Sequence, residues 1–291
     1  MSVGQVSPLD PTLYVLDDEE SAFFKSHIGI ADDEELKKHI LAVQEKAYKV
    51  YPYPCIRRFA FAKLKISRLP AYPHFLELGK TRDPAIFLDI GCCFGNDARK
   101  AVADGYPIRN VIASDLRPEY WELGHELFRS TPQSLPVPFV AGDAFDSEFL
   151  TPTQPTYSPP TTPVPDLQSV TALTPLIGHV SAVHASAFFH LFDEAGQFEL
   201  AQRMASLLSP QPGSIIFGSH RGLPQKGMRT NARGQQSFAH SPESWDELWN
   251  GSIFEKGRVR VDARVVQVDR PDLNRPTGGG HYLLEWSVTR L

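Results

Sequence analysis

The segment DIGCCFG at residues 89–95 is the part of the chain best suited to bind a nucleotide-like ligand. It follows a short apolar run, so we expect it to lie where a buried strand turns into a helix. Gly91 and Gly95 lack a Cβ atom and let the backbone approach a ligand closely, while Cys93 replaces one glycine of the pattern D-x-G-x-G-x-G with a small thiol. The candidate ligand-binding residues of this loop are Asp89, Gly91, Cys92, Cys93 and Gly95.

Two further strand ends carry groups that suit a nucleoside. Asp115 ends the next apolar run, where a carboxylate can accept hydrogen bonds from two ribose hydroxyls, and Leu116 beside it can pack on an adenine. The third run ends before Asp143, Ala144 and Phe145, and an acid at that position suits the adenine amino group. Three consecutive strand ends therefore predict a nucleoside site.

The acid ahead of the glycines indicates which nucleoside binds. Asp89 would repel the pyrophosphate of NAD but tolerates a cationic ligand, so we expect S-adenosylmethionine (SAM), with S-adenosylhomocysteine (SAH) as the product. The chain has no Tyr-x-x-x-Lys pattern of a hydride-transfer site after the fourth strand. Its three cysteines have no zinc-ligand spacing, so we expect no metal.

The fourth strand end is where a methyl acceptor is expected to lie, and it carries two histidines. Methyl transfer from a sulfonium is an in-line displacement that mainly requires alignment of the acceptor and exclusion of water. His184 and His190 are the candidate catalytic residues, although a histidine at a strand end is as often bonded to the backbone. The candidate acceptor-binding residues are Tyr51, Arg57 (or its neighbour Arg58), Ser186, Phe189 and His220.

Two classes of acceptor remain open at this stage. A carboxylate is already ionised at neutral pH, whereas a phenol, with a pKa near 10, benefits from a general base. We expect O-methylation of a small, largely apolar molecule, with a carboxylate preferred and a phenol with a histidine base as the alternative. A non-catalytic SAM-binding protein is a third hypothesis.

The alternation of apolar runs and amphipathic segments predicts the elements that position these residues. Strands are expected at 86–90, 110–115, 137–143, 180–185 and 214–219, with helices between them, as in a parallel α/β sheet. Late strands at 263–269 and 281–290 suit an antiparallel pair. The predicted fold class is a Rossmann-like, seven-stranded class I methyltransferase sheet.

The sequence also predicts how the chain divides. Helices expected at 32–50 and 56–69 would form an N-terminal helical cap within residues 1–83, ahead of a SAM-binding domain at 84–291. Residues 151–175 contain seven prolines and seven threonines and are expected to form a loop rather than a domain boundary.

Composition limits the possible partners. The net charge of −5 comes from interspersed charges with no basic block, so no nucleic acid is expected, and no apolar run reaches the roughly 20 residues that cross a bilayer. The N-terminus lacks the features of a secretory signal, and neighbouring cysteines disfavour a disulfide, which together predict a cytoplasmic enzyme. We expect a monomer or homodimer whose partner is a small-molecule acceptor.

Several segments resemble a fungal group of class I SAM methyltransferases from secondary-metabolite pathways, including those that act on meroterpenoids. The resemblance spans about residues 40–290. It rests on LDIGCCFGND at 88–97, SDLRPEYWELG at 114–124, GDAFD at 142–146, HASAFFHLFDEAGQ at 184–197 and GSHRGLPQKG at 218–227. In its light the Cys92–Cys93 pair is the group's own form of the glycine loop. The resemblance implies O-methylation, often of a carboxylate, without a metal.

Overall fold

A seven-stranded sheet forms the centre of the structure, a computed structural model that describes residues 7–230, 236–268 and 280–291. Five strands are parallel, and the last two strands pair antiparallel at one side. In order across the sheet they are β3 (Phe139–Ala141), β2 (Val111–Asp115), β1 (Ile86–Ile90), β4 (Val180–His184), β5 (Ile215–Arg221), β9 (His281–Arg290) and β8 (Val259–Val268). A separate hairpin pairs β6 (Gly227–Thr230) with β7 (Gln236–Ala239).

The order of the strands creates a crevice at one edge of the sheet. The chain builds outward from β1 through β2 to β3 and then crosses back to β4 on the other side of β1. Ligands of open α/β sheets bind beyond the carboxyl ends of the strands where the order reverses in this way. Every residue of β1 and β4 is buried, as expected for parallel strands covered on both faces.

Helices cover both faces of the sheet. They are α1 (Asp18–Ile28), α2 (Asp33–Val50), α3 (Pro54–Arg57), α4 (Tyr72–Thr81), α5 (Asn96–Ala103), α6 (Pro118–Leu127), α7 (Glu194–Leu207) and α8 (Pro242–Trp249). On one face, Phe75 of α4 contacts Phe87 of β1 and stacks on Tyr106, with ring centroids 4.6 and 4.5 Å apart. On the other face, α7 and α8 pack with β4, β9 and the 3₁₀ turns that precede β4.

The N-terminal region forms its own apolar cluster against α6 and the loop after β1. The helix α2 matches the prediction, but the continuous helix expected over 56–69 is wrong, because α3 ends at Arg57 and only 3₁₀ turns follow. Phe59 has a φ of 57°, in the left-handed region that a right-handed helix cannot contain. The resulting bend lets Phe61 stack on Phe94, with ring centroids 4.6 Å apart.

Hydrogen bonds anchor this region on the start of α5. The Oδ1 atom of Asp97 accepts hydrogen bonds from the backbone N–H groups of Lys65 (3.3 Å) and Ile66 (3.0 Å). The side-chain amide of Asn96 donates to the carbonyl oxygen of Lys63 at 2.9 Å. Asn96 and Asp97 directly follow the glycine loop. These hydrogen bonds therefore fix the position of the N-terminal region relative to that loop.

The proline-rich connection between β3 and β4 packs on the sheet rather than forming a further domain. It contains two 3₁₀ turns, Leu167–Ser169 and Thr174–Leu176, and buries the side chains of Leu167 and Leu173 in the core. The guanidinium of Arg290 lies 5.1 Å from the ring centroid of Tyr157 and ties this connection to β9. Among the described residues, no helix is both long and apolar enough to cross a membrane.

We predict that Gly124→Ala destabilises the protein by about 2 kcal/mol, as expected for an overpacked core. Helix propensity alone would make this change stabilising by roughly 1 kcal/mol. However, a Cβ atom at this position of α6 would lie 2.2 Å from the backbone carbonyl oxygen of Phe94. That oxygen belongs to the glycine loop and can move only if the loop moves. The measurement is the free energy of unfolding in urea.

Gly227→Ala is the matched control, because nothing lies within 4 Å of a Cβ atom there. Its free energy of unfolding should stay within about 0.5 kcal/mol of wild type. A Gly124→Ala variant as stable as this control would contradict the close packing of α6 on the loop.

Candidate active site

The loop after β1 has an unusual backbone that the sequence anticipated only in part. Gly91, Cys93 and Gly95 all adopt left-handed conformations, with φ values of 70°, 53° and 69°. A Cβ atom on Gly95 would lie 2.3 Å from the ring of Trp121, so glycine is required there for space as well as for conformation. Cys93 carries a Cβ atom in a conformation that disfavours it, at a cost of roughly 1 kcal/mol.

Asp115 compensates that cost by bonding the loop directly. Its Oδ2 atom accepts a hydrogen bond from the backbone N–H of Cys93 at 2.9 Å, and its Oδ1 atom accepts one from Arg117 N–H at 3.0 Å. Each carboxylate oxygen has a further lone pair for a ligand hydroxyl. Burial raises the pKa of Asp115, and these backbone N–H groups oppose the rise. Leu116, beside it, is 56% exposed and available to a ligand.

The end of β3 lies next to Asp115 in the same edge. Gly142 N–H donates to the carbonyl oxygen of Asp115 at 3.1 Å. Asp143 is exposed, and its Oδ1 atom accepts a hydrogen bond from Phe145 N–H at 2.9 Å. Ala144 is buried, whereas the ring of Phe145 is half-buried and contacts Phe192, with centroids 4.8 Å apart. The three predicted strand ends are therefore neighbours in space.

Of the predicted residues from the N-terminal region, the structure brings Tyr51 to this edge and Arg58 near His190, but not its neighbour Arg57. The ring of Tyr51 lies 4.8 Å from the guanidinium carbon of Arg117, and its carbonyl oxygen accepts a hydrogen bond from Tyr120 Oη at 3.0 Å. Arg57 instead donates from Nε to the carbonyl oxygen of Pro8 at 2.7 Å. The structure thus places Arg57 against the start of the chain.

A buried polar chain links the ends of β1 and β4. The register sets Asp89 directly opposite His184, and Asp89 Oδ1 lies 2.8 Å from His184 Nδ1. The other ring nitrogen, Nε2, lies 2.8 Å from the hydroxyl of Ser186, which also accepts a hydrogen bond from Ser219 N–H at 3.2 Å.

This chain changes the interpretation of two predicted residues. Asp89 and His184 are only 2% and 1% exposed; Oδ1 of Asp89 bonds to the histidine, whereas its Oδ2 atom is buried and has no hydrogen-bond partner among the described residues. Burial raises the pKa of Asp89, and the bond to His184 opposes the rise. Because both nitrogens of His184 are occupied, His184 can influence a bound molecule only through the half-buried Ser186.

His190 lies in the 3₁₀ turn after β4, in a positively charged environment. Burial, followed by the nearby cations Arg221, Arg58 and Lys65, lowers the pKa of His190 to about 3. The ring is therefore neutral at physiological pH. Its Nδ1 atom is buried and has no hydrogen-bond partner among the described residues.

Phe189 and His220 lie within a buried aromatic cluster. The ring of Phe189 is 5.5 Å from that of His220 and 4.9 Å from that of Trp245. The indole N–H of Trp286 donates to Nδ1 of His220 at 2.9 Å. In the described parts of the chain no three His, Cys, Asp or Glu residues are grouped so that they could hold a metal ion.

The sequence did not indicate three residues that the structure places here. Arg117 follows Asp115 by two positions, and this short separation in sequence could have indicated that Arg117 lies at the site. Lys65 and Trp286 gave no local signal, because they reach the site from the N-terminal region and from the last strand.

Comparison with known proteins identifies the family. A profile of the meroterpenoid methyltransferase N-terminal domain matches residues 9–62. The O-methyltransferase phiE of a fungal species (strain ATCC 74256) is 33% identical over 251 residues, which cover 84% of this chain and 75% of phiE. The methyltransferase adrK of Penicillium roqueforti is 32% identical over 260 residues, 88% of this chain and 84% of adrK. The asnovolin E/chermesin D methyltransferase nvfJ of Aspergillus novofumigatus is 30% identical over 257 residues, 88% and 83% of the two chains.

These similarities extend over most of each chain, and the profile match lies in the N-terminal region. The strand order of the sheet, its antiparallel last strand β9 and the resemblance noted from the sequence are all consistent with these similarities. The chain therefore belongs to this family of fungal methyltransferases and is an S-adenosylmethionine-dependent enzyme.

Proposed function

We propose that the enzyme methylates an oxygen atom of a small, largely apolar metabolite, and that the acceptor is a carboxylate. The observation that carries this proposal is the positive environment of His190, at the edge where β4 ends. The name of the relative phiE, an O-methyltransferase, supports oxygen as the acceptor atom.

In this proposal the donor is held by the loop after β1 and the ends of β2 and β3. The left-handed backbone of residues 91–95 leaves room for the methionine part of SAM, and Asp115 accepts hydrogen bonds from the ribose. Leu116, Asp143 and Phe145 adjoin the adenine. When bound, SAM supplies an electrophilic methyl group and leaves as neutral SAH. Residues 1–83 act as a cap, with Tyr51 near the ribose end of the site.

The chemistry of a carboxylate acceptor fits the charges of the site. One carboxylate oxygen uses a lone pair to form the new O–C bond, and the electrons of the broken C–S bond go to sulfur, so no proton moves. Arg58, Lys65 and Arg221 stabilise the ionised acid in a partly desolvated position. A base with a pKa of about 3 cannot take a proton from a phenol efficiently, so His190 is better suited to a hydrogen bond.

The polar chain from Asp89 to Ser186 favours the second candidate, a phenolic acceptor. Ser186 would accept the phenol proton while passing its own hydroxyl proton to His184 Nε2, and Asp89 would stabilise the resulting imidazolium. This arrangement follows the general logic of a nucleophile, a histidine and an orienting acid. It requires the acceptor oxygen to contact Ser186.

For the donor site, we predict that Asp115→Ala weakens SAM and SAH binding at least tenfold, because about two hydrogen bonds of roughly 1 kcal/mol each are lost. Isothermal titration calorimetry with both ligands measures this change. Asp146→Ala is the matched control, since Asp146 is an exposed acid that accepts a backbone hydrogen bond from Glu148 at 2.9 Å in the turn after β3. Equal affinities of the two variants would refute the role given to Asp115.

For the acceptor, we predict that Arg221→Gln raises KM for a carboxylic acid at least tenfold, because a charge-assisted contact is worth about 1.5–3 kcal/mol. Ser186→Ala should change kcat for the acid by no more than about threefold, since no proton is transferred. Steady-state assays with matched pairs of aromatic acids and phenols test both changes. A hundredfold loss of phenol turnover in Ser186→Ala, with no acid methylated by wild type, would select the phenolic candidate instead.

The pH dependence separates the same two candidates. With a carboxylic acid, kcat/KM should be flat between pH 6 and 9, because the acid is ionised throughout and the lowered pKa of His190 keeps its ring neutral across this range. With a phenol, kcat/KM should rise with pH as the ionised fraction grows. A rising profile with a carboxylic acid would argue against the proposed acceptor chemistry.

A further inference from the structure

The hydrogen bond between Trp286 and His220 determines where the histidine carries its proton. An indole nitrogen is a donor only, so the Nδ1 atom that accepts from it at 2.9 Å cannot hold a proton. The neutral ring of His220 must then carry its proton on Nε2. Both side chains are buried, with exposed fractions of 1% and 3%, so water does not compete for this bond.

The protonated nitrogen of His220 has no acceptor among the described residues. Its Nε2 atom is buried and makes no hydrogen bond to any described residue. Burial, then His190 and His240 nearby, lower the pKa of His220, so the ring does not become charged. A buried N–H group without a partner is rare in folded proteins and calls for a ligand or an ordered water.

The position of His220 indicates which ligand supplies that acceptor. His220 is the second-last residue of β5, on the same edge of the sheet as the loops after β1 and β4. Its ring contacts Phe189, the residue before His190, with centroids 5.5 Å apart. It therefore lies beside the positively charged site and away from the strand ends assigned to the donor.

We propose that Trp286 holds His220 as an Nε2–H donor to the carboxylate oxygen of the acceptor that does not attack the methyl group. This inference rests on the proposed carboxylate acceptor. The contact would hold the ionised acid in the site through the oxygen that does not react. Because the acid loses its charge on becoming an ester, the hydrogen bond is stronger to the substrate than to the product, and its loss should appear in KM rather than in kcat.

The test compares two tryptophans of one aromatic cluster. Trp286→Phe keeps a large ring but removes the bond to His220, which frees both the tautomer and the orientation of the imidazole, so KM for a carboxylic acid should rise at least tenfold. The kcat value should change less than threefold, and the Kd for SAM should not change. Trp249→Phe is the matched control, since Trp249 is equally buried and its indole nitrogen has no partner among the described residues. Its KM should stay within threefold of wild type.

Nitrogen-15 NMR of histidine-labelled protein provides a readout that loss of packing would not imitate. In wild type, His220 should show a protonated Nε2 and an unprotonated Nδ1, and Trp286→Phe should show a mixture of the two tautomers. The inference is overturned if wild-type His220 carries its proton on Nδ1, or if Trp286→Phe and Trp249→Phe have the same KM. Failure of the proposed function gives a different result: the wild-type enzyme methylates no carboxylic acid, although His220 shows the expected tautomer. In that case the role proposed for His220 is also wrong.

Discussion

The hydrogen bond from Cys93 N–H to Asp115 is the interaction on which the donor side of the site depends. It joins the turn after β1 to the end of β2 and holds a non-glycine residue in a left-handed conformation. Gly95 and Trp121 then fit together only because the glycine has no Cβ atom. The N-terminal region is bonded to the residues that follow this turn, so a shift of the loop would also move the cap.

The acceptor side depends on burial rather than on a single bond. Burial lowers the pKa of both His190 and His220, with nearby cations adding to the effect at His190, so both rings act as hydrogen-bonding groups rather than bases. The proposed carboxylate acceptor would place its negative charge near the same cations. The chain from Asp89 through His184 stands apart from this region, since its two ring nitrogens are already bonded within the protein.

Local sequence patterns correctly predicted an element when all of its residues share the same degree of burial. The strand at 86–90 has the predicted bounds, because an apolar run of five residues is buried on both faces. The segment at 56–69 has a helical composition but bends at Phe59, where packing against the glycine loop outweighs helix propensity. The hairpin of β6 and β7 was not predicted; within the described parts of the chain, these two short strands pair with each other and not with the central sheet.

The sequence by itself determined the α/β class, the glycine loop and the acid at the end of the second strand, because these features are local and follow from chain geometry. Only the tertiary structure decided that Asp89 bonds to His184, since the register between β1 and β4 is a long-range property. It also decided that Trp286 bonds to His220 and that Lys65 comes near enough to help lower the pKa of His190. Electrostatic and hydrogen-bonding partners that come from distant segments leave no spacing pattern, so a single sequence does not reveal them.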